Sequence, residues 1–194
     1  RWQWERQNVR HAIGGYAHSF KRRRYVFESG IHSVPLPPQG VIRHILRLVG
    51  VEDLVEPVEL SSMYHFDQPG MSYTLPTRHD DIVAKLTGDF PREKQHLERL
   101  FADMKRAHET LGTVALQFEE KYTDEDVKFV SAYHNRSIAD YISSYIDDER
   151  LRRVFYGMWP YAGNCPDRAP ALYYVVMLAI HLFEGSHTAE GGLG

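Results

Sequence analysis

Residues 14 to 34 read GGYAHSFKRRRYVFESGIHSV, and they gather the residue types in this chain best suited to holding a small molecule. Gly14-Gly15 and Gly30 mark two turns. Between them lie Ser19, the basic run Lys21 to Arg24, and a short aromatic and β-branched segment, Tyr25 to Phe27; Ile31 and His32 follow the second turn. A glycine carries no side chain, so the backbone amides at such a turn can approach a phosphate or a flat ring that a Cβ would hold off. Two glycine-marked turns on either side of one strand are the arrangement to be explained.

Other chemistries find less support. The sequence holds eleven histidines, yet none pairs in an HExxH or HxxxH pattern that would set two imidazoles on one helix face. Cys165 is the single cysteine, which leaves no intrachain disulfide and no thiolate zinc site; no metal is expected. A GxSxG nucleophile motif is absent. His32 could face a ligand, although a lone histidine more often makes structural hydrogen bonds. The Lys21 to Arg24 run could touch phosphate or an anionic membrane surface, although charges in a tight loop are more often simply solvated.

Composition narrows the class. With 194 residues, 43% of them hydrophobic, the chain can bury a substantial core, and a net charge of −3 argues against a nucleic-acid partner. No apolar leader opens the sequence. The longest apolar run, YYVVMLAIHLF at 173 to 183, falls short of the roughly 20 residues that span a bilayer and reads as a buried helix. The expectation is a cytoplasmic protein, with peripheral membrane contact open through the basic loop.

Elements that would position these residues follow from periodicity. Tyr25 to Phe27 reads as a strand, and prolines 35, 37 and 38 end it. Val41, Ile42, Ile45, Leu46, Leu48 and Val49 recur at helical spacing before Gly50, a C-cap residue. Residues 55 to 76 change period around Asp67-Gln-Pro-Gly70 and read as a hairpin or part of a small sheet. Arg78 to Leu86 is helical, Asp89-Phe-Pro91 breaks it, and a long helix carries Leu97, Leu100, Phe101, Met104, His108, Leu111, Ala115 and Phe118 on one stripe. Thr123 with Asp126 forms an approximate capping box, Ser137 caps a further helix, and a charged helix spans Asp147 to Met158. Pro160 to Pro170 reads as a loop, followed by the apolar helix to about Phe183 and the tail EGSHTAEGGLG.

The order Gly14-Gly15, Ser19-Phe20, strand, Gly30-Ile31-His32 resembles the phytoene desaturase, carotenoid isomerase and retinol saturase superfamily of FAD-dependent oxidoreductases. There a GGxxxSF-like segment leads into a strand and a DxG(P/I)H-like turn beside the isoalloxazine. Glu28-Ser29-Gly30 departs from the usual Asp. Phe90-Pro91 before a long helix, Trp159-Pro-Tyr161-Ala-Gly163, the Tyr-rich helix 169 to 183 and Gly191-Gly192 extend the likeness more weakly.

The resemblance implies an α+β chain holding a partial FAD-binding domain (1–34), a substrate domain of small β-sheet and several helices (35–185), and a return towards the FAD-binding domain (186–194). It also implies a GxGxxG turn upstream and a C-terminal flavin segment that this sequence does not contain, so the chain reads as partial. Gly14, Gly15 and Ser19 would contact FAD; Gly30, Ile31 and His32 would lie beside the isoalloxazine; Glu5 would bond the adenosine ribose. NAD(P) is a further cofactor to weigh. Trp159 and Tyr161 would line a site for a hydrophobic polyene, the bland alternative being ordinary packing. The expected activity is desaturation, saturation or isomerisation of an isoprenoid-type substrate. No general base, substrate identity or oligomeric state follows. The competing expectation is a non-catalytic helical binding or interaction domain.

Overall fold

The computed structural model describes residues 18–28, 30–116 and 123–192. They form two compact units: one made of the residues up to Leu60 together with those from Ser186 on, the other Ser61–Gly185. The segment 35 to 60, expected with the helices, groups by its contacts with the first unit.

In that first unit β1 (Ser19–Arg22) and β2 (Tyr25–Glu28) form an antiparallel hairpin, with Phe20 opposite Phe27 and Arg22 opposite Tyr25. Its two-residue loop holds Arg23 at φ 56°, a left-handed conformation that glycine or asparagine adopts more readily than arginine. Helix α1 (Val41–Leu48) starts after the predicted prolines and stops where Gly50, at φ 75°, turns back to donate its N–H to the Arg47 carbonyl. Strand β3 (Pro57–Glu59) follows.

The second unit begins with β4 (Ser62–Gln68) and β5 (Met71–Pro76), a hairpin turning at Pro69-Gly70 as the sequence predicts. Of residues 55 to 76, expected as a hairpin or part of a small sheet, 62 to 76 form this hairpin, whereas β3 pairs with a strand far along the chain. Helices α2 (His79–Asp89), α3 (Lys94–Leu116), α4 (Asp124–His134), α5 (Ile138–Ser143), α6 (Glu149–Tyr156) and α7 (Ala171–Glu184) complete the unit. The charged helix predicted from Asp147 to Met158 is shorter at both ends: Asp148 serves as its N-cap, accepting from the N–H groups of Arg150 and Leu151, and Gly157 is its C-cap. Full capping boxes open α4 (Thr123 with Asp126) and α5 (Ser137 with Asp140).

Helix α7 is apolar nearly all round and is the hub of this unit. It buries Ala171, Tyr174, Val175, Leu178, Ala179 and Leu182 against α2, α3, α4, α5 and the 3₁₀ turn Trp159–Ala162. The stripe predicted on α3 supplies Leu97, Leu100, Phe101 and Met104 to the same core; Phe118 lies outside the described residues. Polar ties fix the outer helices. Asp103 on α3 accepts hydrogen bonds from the hydroxyls of Tyr133 on α4 and Tyr141 on α5, at 2.7 and 2.8 Å. Burial and the Asp103 carboxylate hold both phenols well above their ordinary value, so they remain donors. Glu93, nearly fully buried, accepts from the backbone N–H groups of Asp147 and Asp148 ahead of α6.

The tail, for which no element was predicted, contains β6 (His187–Ala189), which pairs antiparallel with β3. On its other side His187 exchanges both backbone hydrogen bonds with Val34, each 2.9 Å, and its Nδ1 accepts from the Leu36 N–H at 3.2 Å. Glu190 N–H to the Glu56 carbonyl and Leu60 N–H to the Ser186 carbonyl extend the pairing. Periodicity cannot reveal a three-residue strand whose partner is more than a hundred residues away.

Two predictions follow from this packing. Leu178→Ala, at a fully buried α7 position, should lower unfolding free energy by about 2–5 kcal/mol in a urea titration. Burial lowers the His187 pKa from 6.5, against a smaller opposing pull from Glu59, and the ring accepts its hydrogen bond from Leu36 only when Nδ1 is unprotonated. His79, packed between Phe101 and Phe183 in the other unit, is likewise lowered by burial. In both cases the unfolded state takes up protons first, so stability should be full above about pH 6.5 and fall as pH drops through the lowered folded values. His187→Ala should be less stable near neutrality and show a shallower acid-side decline in Tm.

Candidate functional site

The residues assigned to the cofactor fall in the first unit. Glu5, Gly14 and Gly15 lie outside the described residues. Ser19 opens β1, half-buried and opposite Glu28. Gly30 and His32 are exposed and Ile31 is half-buried, in extended chain running into the Val34 bridge with His187. The pairing of β6 also brings back the tail glycines. Gly191 and Gly192 adopt φ 85° and 105°, and a Cβ built on Gly192 would collide with a carboxylate oxygen of Glu28. A side chain at 192 would be strained by the positive φ and would require the Glu28 carboxylate to move. Within this unit Glu28, next to the predicted flavin turn, and the Gly-Gly pair at 191–192 are neighbours, an association the sequence order alone does not state.

Trp159 and Tyr161 lie in the second unit, on the 3₁₀ turn after α6, 39% and 48% exposed. Trp159 lines a cavity of about 370 Å3, within the range typical of small-molecule sites. Phe66, Asp67 and Gln68 come from the end of β4, Arg153, Tyr156 and Gly157 from the end of α6, and Pro160 and Pro166 from the following segment. The sequence reasoning missed all of these except Trp159; the aromatic Phe66 near a turn was the available signal.

Local hydrogen bonds set the walls. Tyr64 on β4 donates its hydroxyl to the Val154 carbonyl, seating the strand on α6, and burial raises its pKa well above the ordinary value. Rings of Tyr64, Phe66 and Tyr73 succeed one another at 6.2 and 6.3 Å. Pro166 is held because its carbonyl accepts from the Ala139 N–H, while Ile138 N–H bonds the Ala169 carbonyl. At the rim Asp67 accepts from Ser72 and His65, which lower its pKa, and Arg153 is paired with Glu149. The floor is therefore aromatic and the rim charged.

One further cluster could bind a cation. Glu93, His96 and Asp147 bring ligand atoms within 4.8 Å of one another. Glu93 already accepts from His96 Nδ1 at 2.8 Å and from two backbone N–H groups, which explains the cluster as the N-terminal anchor of α6.

The sequence profile of the family described as "Flavin containing amine oxidoreductase" matches residues 9–194, and the chain belongs to that family. This bears out the resemblance to the phytoene desaturase-like superfamily. A 4,4'-diapophytoene desaturase (4,4'-diaponeurosporene-forming) of Staphylococcus aureus (strain MRSA252) is 23% identical over 191 residues, covering 93% of this chain and 37% of the relative. A 4,4'-diapolycopen-4-al dehydrogenase of Metabacillus indicus is 25% identical over 195 residues, covering 94% of this chain and 38% of the relative. The chain thus spans a little over a third of the length of these curated relatives. The family supports a flavin and gives no support to NAD(P). Among the described residues no helix is long and apolar enough to cross a membrane.

Gly157 is the pocket residue with least freedom. A Cβ there would lie 2.6 Å from Tyr64 Cε2 and 3.2 Å from Phe66 Cδ1, although its φ of −51° suits any residue. Gly157→Ala should therefore cost about 1–3 kcal/mol through displaced rings rather than backbone strain. A double-mutant cycle with Tyr64→Leu checks this: the alanine's cost should shrink once the ring is gone, and full additivity would contradict the contact.

Proposed function

We propose that this chain contributes part of an FAD-dependent oxidoreductase acting on a hydrophobic, conjugated isoprenoid-type substrate. The observation that carries the reading is the return of residues 187–192 to Val34 and Glu28, which gathers in one unit the segments that the resemblance assigns to the flavin. Gly191 and Gly192, both with left-handed backbone that glycine adopts readily, suit close backbone approach to a flat ring or a phosphate, so the residues present fit the cofactor. Gly30, Ile31, His32 and Ser19 would hold it from the other segment, with Gly14 and Gly15 on its phosphates and Glu5 on its ribose. When bound, the flavin supplies hydride or electron exchange with the substrate. The relatives are named as a desaturase and a dehydrogenase, which favours removal of hydrogen over isomerisation.

The second unit would serve as the substrate domain. Its aromatic cavity fits a flat, apolar chain: Phe66, Tyr156 and Trp159 offer ring faces, Pro160 and Pro166 rigid apolar edges, and Arg153 with Asp67 a polar rim at the solvent end. These residues bind and orient and keep water from the apolar part of the ligand. A cavity of about 370 Å3 is near the small end of ligand sites and would take one end of a long polyene, not all of it.

Two measurements test the reading. After incubation with FAD and gel filtration, the protein should retain flavin absorption bands and melt at a higher temperature; colourless protein with unchanged Tm would overturn the cofactor assignment and favour a non-catalytic binding domain. With Trp2→Phe and Trp4→Phe leaving Trp159 as the single tryptophan, a C30 polyene should quench its fluorescence saturably, and Phe66→Ala should weaken that binding about tenfold or more. Quenching indifferent to Phe66 would remove the cavity from the substrate site.

A further inference from the structure

Three tyrosines converge on one carboxylate in the helical unit. Tyr133 on α4 and Tyr141 on α5 both donate their hydroxyls to the same oxygen of Asp103, Oδ2, at 2.7 and 2.8 Å. Tyr145, just past α5, is raised above its ordinary value by burial first and then by the same carboxylate, so its hydroxyl also stands in the field of Asp103. The rings touch in sequence: Tyr133 meets Tyr141 edge-on with centroids 5.5 Å apart, and Tyr141 meets Tyr145 edge-on at 5.5 Å. Tyr141 is fully buried, Tyr133 is 3% exposed and Tyr145 is half-buried, so the row runs from the core towards solvent.

Packing alone does not call for this set. Phenylalanine would fill the same space at 133 and 141 without a hydroxyl to desolvate, and one phenol on Asp103 would be enough to tie a helix to α3. What the grouping adds is chemistry. A buried phenol gives up an electron readily only if its proton leaves at the same time, because a ring cation in an apolar interior is costly. Arg136, whose guanidinium lies 5.5 Å from the centroid of the Tyr141 ring, adds like-charge repulsion to that cost. Asp103 Oδ2 already accepts the hydrogen bond through which the proton must move. Rings in edge contact exchange electrons readily, since the coupling decays steeply with distance, and Tyr145 offers the outer end of the path.

We propose that Tyr145, Tyr141 and Asp103 form a sink for one-electron oxidants of the peroxyl class. A peroxyl radical takes an electron from the half-buried Tyr145 ring, Tyr141 refills it, the Tyr141 proton moves to Asp103, and the peroxyl, with a proton from water, leaves as a hydroperoxide. The radical then rests as a neutral phenoxyl on buried Tyr141, shielded from coupling to another ring at the surface. A one-electron reductant of the thiolate class restores it by delivering an electron at Tyr145, and Asp103 returns the proton. Conjugated polyenes form peroxyl radicals with dioxygen, so this choice of oxidant rests on the proposed substrate class; the tyrosine row itself does not.

Purified protein without added flavin or polyene, exposed aerobically to a water-soluble azo initiator that releases peroxyl radicals and then frozen, tests this apart from the oxidoreductase reading. Electron paramagnetic resonance should show a persistent phenoxyl signal, and added dithiothreitol should erase it. Asp103→Asn keeps the shape and an acceptor oxygen but takes no proton, and should slow the appearance of the signal about a hundredfold, the lower end of what a positioned proton acceptor supplies. Tyr141→Phe should abolish the persistent signal and leave short-lived radicals that end as dityrosine, read by its fluorescence. Tyr145→Phe keeps the Tyr133 and Tyr141 bonds to Asp103 and so guards against loss of folding: circular dichroism and Tm should match those of the unaltered protein while the persistent signal is lost. Folded protein that gives no phenoxyl signal, or a signal unchanged by either Asp103→Asn or Tyr145→Phe, overturns the proposal. So does a signal that Tyr141→Phe leaves intact, since the radical would then sit on an exposed ring such as Tyr161 or Tyr173.

Discussion

A three-residue strand, His187 to Ala189, is the constraint on which the arrangement of this chain depends. Its backbone bonds β3 on one side and Val34 on the other, and the His187 ring accepts from Leu36 as well. The polypeptide that leaves through β3 and Leu60 comes back at Ser186 directly beside it, so Ser61–Gly185 is a closed excursion whose two ends are bonded together. Ends held in this way let the helical unit fold around its own core. They also fix the tail glycines beside Glu28. Each hydrogen bond contributes only about 1 kcal/mol net, but together they set register, and a slip by one residue would turn His187 away from Leu36 and move the glycines.

Within the excursion the organising device is different. Helix α7 is mostly apolar, and α2, α3, α4, α5 and the 159–162 turn cover most of it, leaving Tyr173 exposed. Directional groups then choose among the many ways to pack apolar helices: Asp103 takes the Tyr133 and Tyr141 hydroxyls, Tyr64 reaches the Val154 carbonyl, and Glu93 caps the approach to α6. These bonds place the end of β4 against the end of α6, where the missing Gly157 side chain leaves room for the Tyr64 and Phe66 rings beside the aromatic cavity. The same absence that admits the Tyr64 ring also shapes the wall a ligand would touch.

The family assignment fits this division of labour. One unit carries the tail glycines at positive φ, the other carries rings and prolines around a cavity, and the flavin-containing amine oxidoreductase profile covers residues of both.

Local signals were legible because they depend on near neighbours. Thr123 with Asp126 announced a capping box, Ser137 an N-cap, Pro69-Gly70 a hairpin turn, Gly50 a helix stop, and the 3–4 spacing of Leu97, Leu100, Phe101 and Met104 a buried face. The glycine pattern around the Tyr25 strand was enough to suggest the flavoenzyme superfamily. What the sequence could not determine was which distant segments meet. The strand 187–189 has no periodicity of its own and exists only through its partners at 34 and 57–59; Phe66 and Arg153 share a cavity only because Tyr64 bonds α6; the exposure of the β1–β2 rings depends on what else packs nearby. Propensity and capping act within a few residues along the chain, whereas pairing, cavity shape and exposure depend on the whole packed unit, and only the tertiary structure decides them.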